Sequence, residues 1–248
     1  MRFFRFPASG RAASHAPDPT PPPAPANGLS NVRKFKNLKF FAEGVAEKNP
    51  AAIRGVIAAI LRSEQSELIL DVLENGPRGQ QGLSGPAFFV GNLWDHFPKE
   101  ELVPIERPQA DYPLLLGRDT VLTHPWNDGK LINHISLTGR DKLDPRTGPV
   151  KGYLGPWTQD PNHSVVLWLP WRIGFVGNGY HSVAAGILAA EGSLLPTRVE
   201  DWSFLLDLME TDGIEYRDRR TKASLGPVTD VRRAAVFEIG RLIVQSTG

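Results

Sequence analysis

The chain has 248 residues, with 28 Lys and Arg against 27 Asp and Glu, and it contains no Cys. This length predicts one domain with an appendage, and 22% charged with 41% hydrophobic residues excludes a wholly disordered or collagen-like chain. Without Cys there is no disulfide framework, thiolate nucleophile, iron–sulfur cluster or Cys-type zinc site. No run approaches the roughly 18 apolar residues that span a bilayer. We therefore expect a cytoplasmic protein.

Charge and proline are concentrated near the N-terminus. The first 40 residues hold seven bases and one acid, a balance of +6, whereas the remainder carries 21 bases and 26 acids, or −5. Residues 16–25 include six prolines, which favour an extended polyproline II conformation and cannot build a core. The sequence therefore predicts a disordered, basic, Pro-rich tail at residues 1–28, through which a protein partner could bind.

Residues 29–117 read as a helical and loop-rich N-terminal region. Helical spacing of apolar residues predicts helices at 36–48, 51–61 and 66–74. Asn49-Pro50 separates the first two helices, because Pro fits the first turn of a helix but not its interior. A Gly-rich loop is predicted at 76–87, and the prolines after it indicate short, irregular elements.

From residue 118 the pattern changes to short apolar runs separated by turns. The order predicted there is a strand at 121–122, a helix at 130–137, strands at 165–169 and 173–176, a glycine turn at 177–179 and a helix at 182–190.

The C-terminal third continues this unit. We predict a loop with a short helix at 195–209, then a hairpin whose strands lie at 214–217 and 222–225. Residues 228–244 have a broad apolar face and form the predicted closing helix. Gly240 in that helix is expected to pack closely against the body of the protein.

The glycine turn is the main candidate site. A strand that leads through a turn into a helix leaves backbone N–H groups free at the helix start, and these groups favour an anion. Gly177 and Gly179 would allow a ligand to approach the backbone closely. Side-chain donors are supplied by Asn178, His181 and Ser182, and His181 could also act as an acid or base near neutral pH. The alternative is structural, since such corners need Gly and helix starts are capped by Asn or Ser.

Three histidines flank the predicted strands at one end of the unit. His124, His163 and His181 could converge to hold a divalent metal or to supply acid–base catalysis. The alternative is three independent histidines that cap and hydrogen-bond separately, since their spacing matches no local zinc template. We expect His134 on a helix surface.

Tryptophan is also concentrated here, with four of the six within residues 126–171. Such aromatics can stack on a nucleobase or close a small core. We expect Trp168 in the core. Trp126 and Trp171 are predicted to face a ligand because each lies at a Pro-containing turn. Asn127, next to Trp126, is predicted to bind the ligand or its phosphate as well.

Residues 173–188 resemble the signature of the ParB/sulfiredoxin superfamily. That signature is a strand, Asp-Gly-x-His/Arg-Arg, and a helix of small residues; Asn178 and Gly179 match Asp-Gly, His181 matches His, and Ala184 and Ala185 match its paired alanines. The predicted order of elements over residues 118–195 agrees. The resemblance implies a nucleotide- or phosphate-binding fold, with hydrolytic activity in some members.

The chain also departs from that pattern. Ser182 replaces the signature Arg that contacts phosphates, and Tyr180 replaces the sulfiredoxin Cys, so sulfiredoxin chemistry is excluded. The −5 balance of the body weighs against sequence-specific DNA binding, because phosphate contacts need a basic face.

These observations predict an α+β (mixed α/β) fold. N-terminal helices pack on a small ParB/sulfiredoxin-like sheet, and residues 118–248 supply the sheet, hairpin and closing helix of one body. The predicted function is binding of a nucleotide or other phosphorylated ligand, with possible phosphodiester or nucleotide hydrolysis and a possible divalent metal. The alternative is a non-catalytic interaction or regulatory protein on the same scaffold.

Overall fold

A computed structural model describes residues 30–77, 88–91, 93–144 and 146–247. The tail predicted at 1–28 and nearly all of the loop predicted at 76–87 lie outside these residues. The helices of the described part are α1 Asn31–Lys48, α2 Ile53–Asn75, α3 Asp128–Leu137, α4 Tyr180–Leu188, α5 Leu205–Leu208 and α6 Val231–Thr247.

The helical region confirms the predicted helices with one difference. The patterns at 51–61 and 66–74 belong to a single helix, α2, rather than to two. The polar residues between the two apolar patterns suggest a break in the helix, but Glu64 and Gln65 are buried there and each has a polar partner. Glu64 lies 2.5 Å from Arg233, and the Gln65 amide donates to the Val121 carbonyl at 2.9 Å. Polar residues with buried partners can therefore continue a helix through a core.

A five-stranded sheet forms the centre of the molecule. Its strands are β1 Ile105–Glu106, β3 Thr120–Leu122, β6 Ser164–Leu169, β7 Ile173–Asn178 and β9 Arg198–Asp201. Their spatial order is β1-β9-β6-β7-β3; β9 runs parallel to β6, β3 runs parallel to β7, and the other pairs are antiparallel.

Smaller sheets surround the central one. β2 Leu114–Leu115 pairs with β8 Ser193–Leu194, and β4 Leu143–Asp144 pairs with β5 Gly148–Pro149. The third small sheet contains β10 Met209–Thr211, β11 Glu215–Asp218 and β12 Ser224–Pro227. The antiparallel pair β11–β12 confirms the predicted hairpin, and α6 confirms the closing helix.

Strand β9 corrects the prediction for residues 195–209. That segment was expected to hold only a loop and a short helix, yet Arg198–Asp201 forms a sheet strand before α5 begins at Leu205. The charged residues of this segment look typical of a loop in the sequence. In the structure Glu200 is nevertheless buried in the strand, because its carboxylate has partners there. It pairs with Arg198 at 2.6 Å and accepts a hydrogen bond from the Trp202 indole at 3.0 Å.

Each face of the sheet packs against its own core. One core joins residues of α1, α2 and α6 to Trp168 and Phe175 of the sheet. The opposite core joins Val165 and Val176 to Val183 of α4. The described elements therefore form an α+β fold, as predicted. No described helix combines the length and apolarity that crossing a membrane requires.

Trp171 belongs to the first core, which makes its predicted ligand-facing role wrong. It is buried, its ring stacks on Phe237, and its indole N–H donates to the Phe237 carbonyl at 3.2 Å. The close packing expected of Gly240 is confirmed, because a Cβ there would lie 2.9 Å from Trp171 Cε2. The predicted core position of Trp168 is confirmed as well.

Candidate functional site

The corner between β7 and α4 turns on one glycine. β7 continues through Gly177 and Asn178, both exposed, so the predicted three-residue turn is reduced to Gly179. Gly179 has a φ of +83°, a left-handed conformation that favours glycine, and it stands at the N-cap of α4. A Cβ there would also overlap the ring of His163 and lie 3.2 Å from its Cα. The corner therefore requires glycine at 179 and not at 177.

The N-terminal ends of α3 and α4 meet beside this corner. His181, in the first turn of α4, accepts a hydrogen bond at Nε2 from the backbone N–H of Asn127 at 3.1 Å. Asn127 is the N-cap of α3, and its side chain accepts from the Lys130 N–H at 2.8 Å. The partial positive charges of two helix ends thus lie close together.

Aromatic and charged groups surround this meeting point. The Trp126 ring packs edge-on to His181 with centroids 5.3 Å apart, and Lys130 Nζ lies 4.7 Å from the Trp126 ring centroid. Asp128 also lies in the first turn of α3, and its carboxylate accepts from the Gly129 N–H at 2.7 Å. A lysine, an aspartate, two helix ends and a half-buried indole are therefore brought together.

His181 is a neutral ring in this setting. Burial, followed by the charges of His134 and Lys130, lowers the pKa of His181 to about 4. Because Nε2 accepts from Asn127, the ring proton is on Nδ1. The group expected to act as acid or base near neutral pH therefore presents a hydrogen-bond donor there.

His163 is held in a similar way on the other side of Gly179. Its Nδ1 accepts from the backbone N–H of Asp160 at 2.8 Å, and its ring packs against Trp157 with centroids 5.0 Å apart. Burial lowers the pKa of His163, although the Asp160 carboxylate opposes this effect. This ring is neutral and fixes the corner by packing.

His124 does not join the other two histidines. Its Nε2 lies 3.1 Å from the Asp71 carboxylate, so the imidazole that follows β3 faces α2. Within the described residues no group of three or more His, Asp or Glu side chains is placed to hold a metal ion. The predicted convergence of His124, His163 and His181 on one metal is therefore not found there.

Ser182 has a partner within the protein. Its hydroxyl and carbonyl oxygens both accept from the Trp157 indole N–H, at 3.1 and 2.8 Å. Trp157 is itself buried against Gly186 and Gly192. The predicted phosphate-orienting hydroxyl thus faces Trp157, and its own hydrogen remains as a donor.

Two residues near the site were missed by the sequence reasoning. Lys130 could have been found from the sequence. A lysine in the first turn of a helix is unfavourable next to the positive end of the helix dipole, so its presence there indicates a possible role in binding an anion. His134 was expected on a helix surface, yet it is half-buried, its Nδ1 has no hydrogen-bond partner among the described residues, and burial lowers its pKa. Its position depends on α3 packing against α4, which local sequence does not reveal.

Comparison with curated proteins and with solved structures gives no significant match. Residues 25–247 match DUF6710, a family of unknown function, and the chain therefore belongs to that family.

Proposed function

We propose that this protein binds a nucleotide or another phosphorylated ligand where the N-terminal ends of α3 and α4 meet. The observation that carries the proposal is the hydrogen bond from Asn127 to His181, which holds the two helix ends together beside Lys130. Each helix end carries roughly half a positive charge. At α3 the N–H groups of Gly129 and Lys130 already donate to the side chains of Asp128 and Asn127, whereas the start of α4 has no side-chain cap. Two such ends with a lysine form a favourable environment for phosphate.

Each residue at the corner would have its own role in binding the ligand. Gly179 fixes the turn into α4, with His163 packed where a side chain would stand, and exposed Gly177 and Asn178 border the helix start. His181 would donate from Nδ1, while Lys130 would neutralise phosphate charge. The Trp126 ring offers an edge or face for a base or other planar group.

The order β3, α3, β6, β7, α4, in which only the small β4–β5 pair intervenes as a sheet, supports the further proposal that this unit is ParB/sulfiredoxin-like. The signature Arg of that superfamily is Ser182 here, so Lys130 would supply the positive charge from the neighbouring helix. A divalent cation, if one takes part, would arrive with the ligand's phosphates, as Mg²⁺ commonly does.

The chemistry of the histidines favours binding over hydrolysis. His181 and His163 each accept a backbone N–H at one ring nitrogen, and burial lowers the pKa of both. A general base needs a pKa near the working pH and a free nitrogen. Neither histidine meets both conditions. This supports the second candidate function, a non-catalytic interaction or regulatory protein on the same scaffold.

A thermal unfolding screen tests the proposal. The full chain is heated with inorganic phosphate and with nucleoside mono-, di- and triphosphates, with and without Mg²⁺. Lys130→Gln is compared with Lys36→Gln, which removes another exposed lysine, from α1. A ligand at 100 times its Kd adds about 2.7 kcal/mol to the free energy of unfolding.

We expect the ligand to raise the Tm of Lys36→Gln as it does that of the native chain, with a smaller rise for Lys130→Gln. No shift with any phosphorylated compound, or equal shifts in the two variants, would overturn the proposed site. Release of inorganic phosphate from a bound nucleotide would decide for hydrolysis and against the non-catalytic candidate.

A further inference from the structure

Helix α1 presents two large apolar side chains to solvent. Phe40 is 78% exposed and its neighbour Phe41 is 63% exposed. The side of the helix that packs on the protein lies elsewhere, at the buried residues Phe35 and Ala42. Burial of a phenylalanine ring stabilises a folded chain, so rings of this size are rarely left in water without a reason. Two adjacent exposed rings on one helix therefore indicate a surface that is covered when the protein meets a partner.

No other described element approaches the helix next to these rings. Gly44 is four residues after Phe40 and three after Phe41, so it lies beside both on the helix surface. A Cβ on Gly44 would meet nothing within 4 Å. The outward side of α1 is thus a convex, open surface rather than the wall of a pocket.

The first half of the same helix is strongly basic. Between Asn31 and Phe41 there is no acidic residue, whereas four residues are basic: Arg33, Lys34, Lys36 and Lys39. None of the four forms an ion pair within the part of the chain that the structure describes. Over its whole length α1 has five basic and two acidic residues, a balance of +3. We call the two exposed phenylalanines and these four basic residues the α1 surface.

The acidic groups of neighbouring elements have partners of their own. Asp230 borders the same hollow as Lys34, but its carboxylate accepts from the N–H groups of Arg232 and Arg233 at 2.7 and 3.1 Å. Lys39 borders a second hollow, in which three carboxylates each pair with an arginine or a lysine: Glu210, Asp212 and Glu238. The positive charge of the α1 surface is therefore left for a partner outside the chain.

A bilayer that contains anionic lipids matches both features of the α1 surface. Basic side chains are attracted by the negative potential of such a bilayer, and exposed aromatic rings bury themselves at its interface. A convex helix can contact a broad, deformable surface, whereas single-stranded nucleic acid is bound in a positively charged groove. A second copy of this chain is disfavoured, because a two-fold contact through α1 would place like charges against each other.

We propose that α1 attaches this protein reversibly to the surface of a membrane that contains anionic phospholipids. Phe40 and Phe41 insert at the interface, and the four basic residues of the α1 surface lie near the lipid headgroups. Phe35 and Ala42 stay in the core, so attachment requires no unfolding of α1. This inference does not depend on the phosphate site, which lies where α3 and α4 meet.

Sedimentation of the full-length protein with lipid vesicles tests the proposal. One set of vesicles contains phosphatidylcholine alone, and the other contains equal amounts of phosphatidylcholine and phosphatidylserine. We expect the native chain to sediment with the anionic vesicles and not with the neutral ones. Binding should weaken at high salt, because salt screens the attraction between the basic residues and the lipid.

A first pair of variants tests the aromatic part of the α1 surface. Phe40→Ser combined with Phe41→Ser should weaken binding to the anionic vesicles at least about tenfold, because both rings lose their burial in the interface. Leu70→Ser combined with Leu73→Ser is the matched control, since it removes two exposed apolar side chains from α2. The control should bind as tightly as the native chain.

A second pair of variants tests the basic part. Arg33→Gln combined with Lys34→Gln should weaken binding by about fivefold for each base removed. Arg140→Gln combined with Lys151→Gln removes the same charge from exposed positions elsewhere and should retain native binding. Thermal unfolding near the native Tm verifies that each variant is folded.

Failure of the native chain to bind the anionic vesicles would overturn the proposal. Equal binding by the α1 variants and their controls would overturn it as well, because another part of the chain would then make the contact. Binding to a single-stranded oligonucleotide but not to vesicles would replace the membrane with nucleic acid as the partner of α1.

Discussion

At the scale of single residues, the β7–α4 corner requires glycine at position 179 but tolerates a larger residue at position 177. We expect Gly179→Ala to lower the free energy of unfolding by about 1–3 kcal/mol, because the left-handed backbone strains any other residue and the added Cβ meets His163. Gly177→Ala is the matched control, since its backbone is extended and its nearest neighbour, Ser164 Oγ, would lie 3.4 Å away. Urea denaturation of both variants measures the difference. Equal losses would contradict this account of the corner.

His181 makes a contribution to stability that depends on pH. Its pKa is about 4 in the folded chain and about 6.5 when unfolded, so as pH falls the unfolded chain takes up the proton first. Above pH 6.5 both states are neutral and this residue adds no pH dependence. Between pH 6.5 and 4 the free energy of unfolding should fall, and below pH 4 this residue causes no further loss.

His181→Gln should remove that loss while leaving an oxygen that can accept from the Asn127 N–H. We therefore expect stability measured from pH 7 to 4 to fall less steeply in His181→Gln than in the native chain. His96→Gln, which removes a histidine from an exposed position, is the matched control, and stability should fall more steeply in it than in His181→Gln. A native slope in His181→Gln would show that this ring titrates normally when folded.

At the scale of elements, α6 is fixed in place by contact of Gly240 with Trp171. Gly240→Ala should destabilise by about 1–3 kcal/mol despite the better helix propensity of Ala, because the new Cβ would lie 2.9–3.0 Å from atoms of the indole ring. Gly44→Ala in α1 is the matched control, since a Cβ there meets nothing within 4 Å. It should stabilise by about 0.5–1 kcal/mol. Thermal unfolding of the two variants should therefore shift in opposite directions, and a gain in both would contradict this packing.

The elements that were predictable from sequence are those with local signals. Strands β6 and β7 are uninterrupted apolar runs bounded by turns, and α4 and α6 have helical apolar faces. The elements that were missed depend on distant partners. β9 contains a buried Glu200 that Trp202 and Arg198 satisfy, and α2 continues through Glu64 because Arg233 pairs with it. Local polarity cannot distinguish such residues from a loop.

At the scale of the whole molecule, the sheet separates two regions with different character. The α4 side carries the corner at Gly179, where two helix ends and Lys130 meet. The opposite side carries an open cleft lined by Trp94, Trp168 and Trp202. The near-neutral total charge is a balance between the basic first 40 residues and an acidic remainder. The proposed site, where Asp128 and Lys130 both lie in the first turn of α3, therefore belongs to an acidic body, which weighs against binding of a long nucleic acid.

The candidate site was only partly predictable for the same reason. Gly179, Asn178 and His181 belong to one local motif, so the sequence could single them out. The position of His181 against Asn127 depends on the contact between α3 and α4, about fifty residues apart in the chain. The same contact decides the protonation of His181 and brings in Lys130, and no local pattern encodes either.

The most direct measurement of the central claim is a titration of the native full-length chain with inorganic phosphate, followed by backbone amide NMR signals. We expect saturable shifts centred on residues 127–130 and 178–182, with clearly weaker shifts in Lys130→Gln than in Lys36→Gln. Amide signals at both helix starts that do not move, or shifts centred elsewhere in the chain, would contradict it.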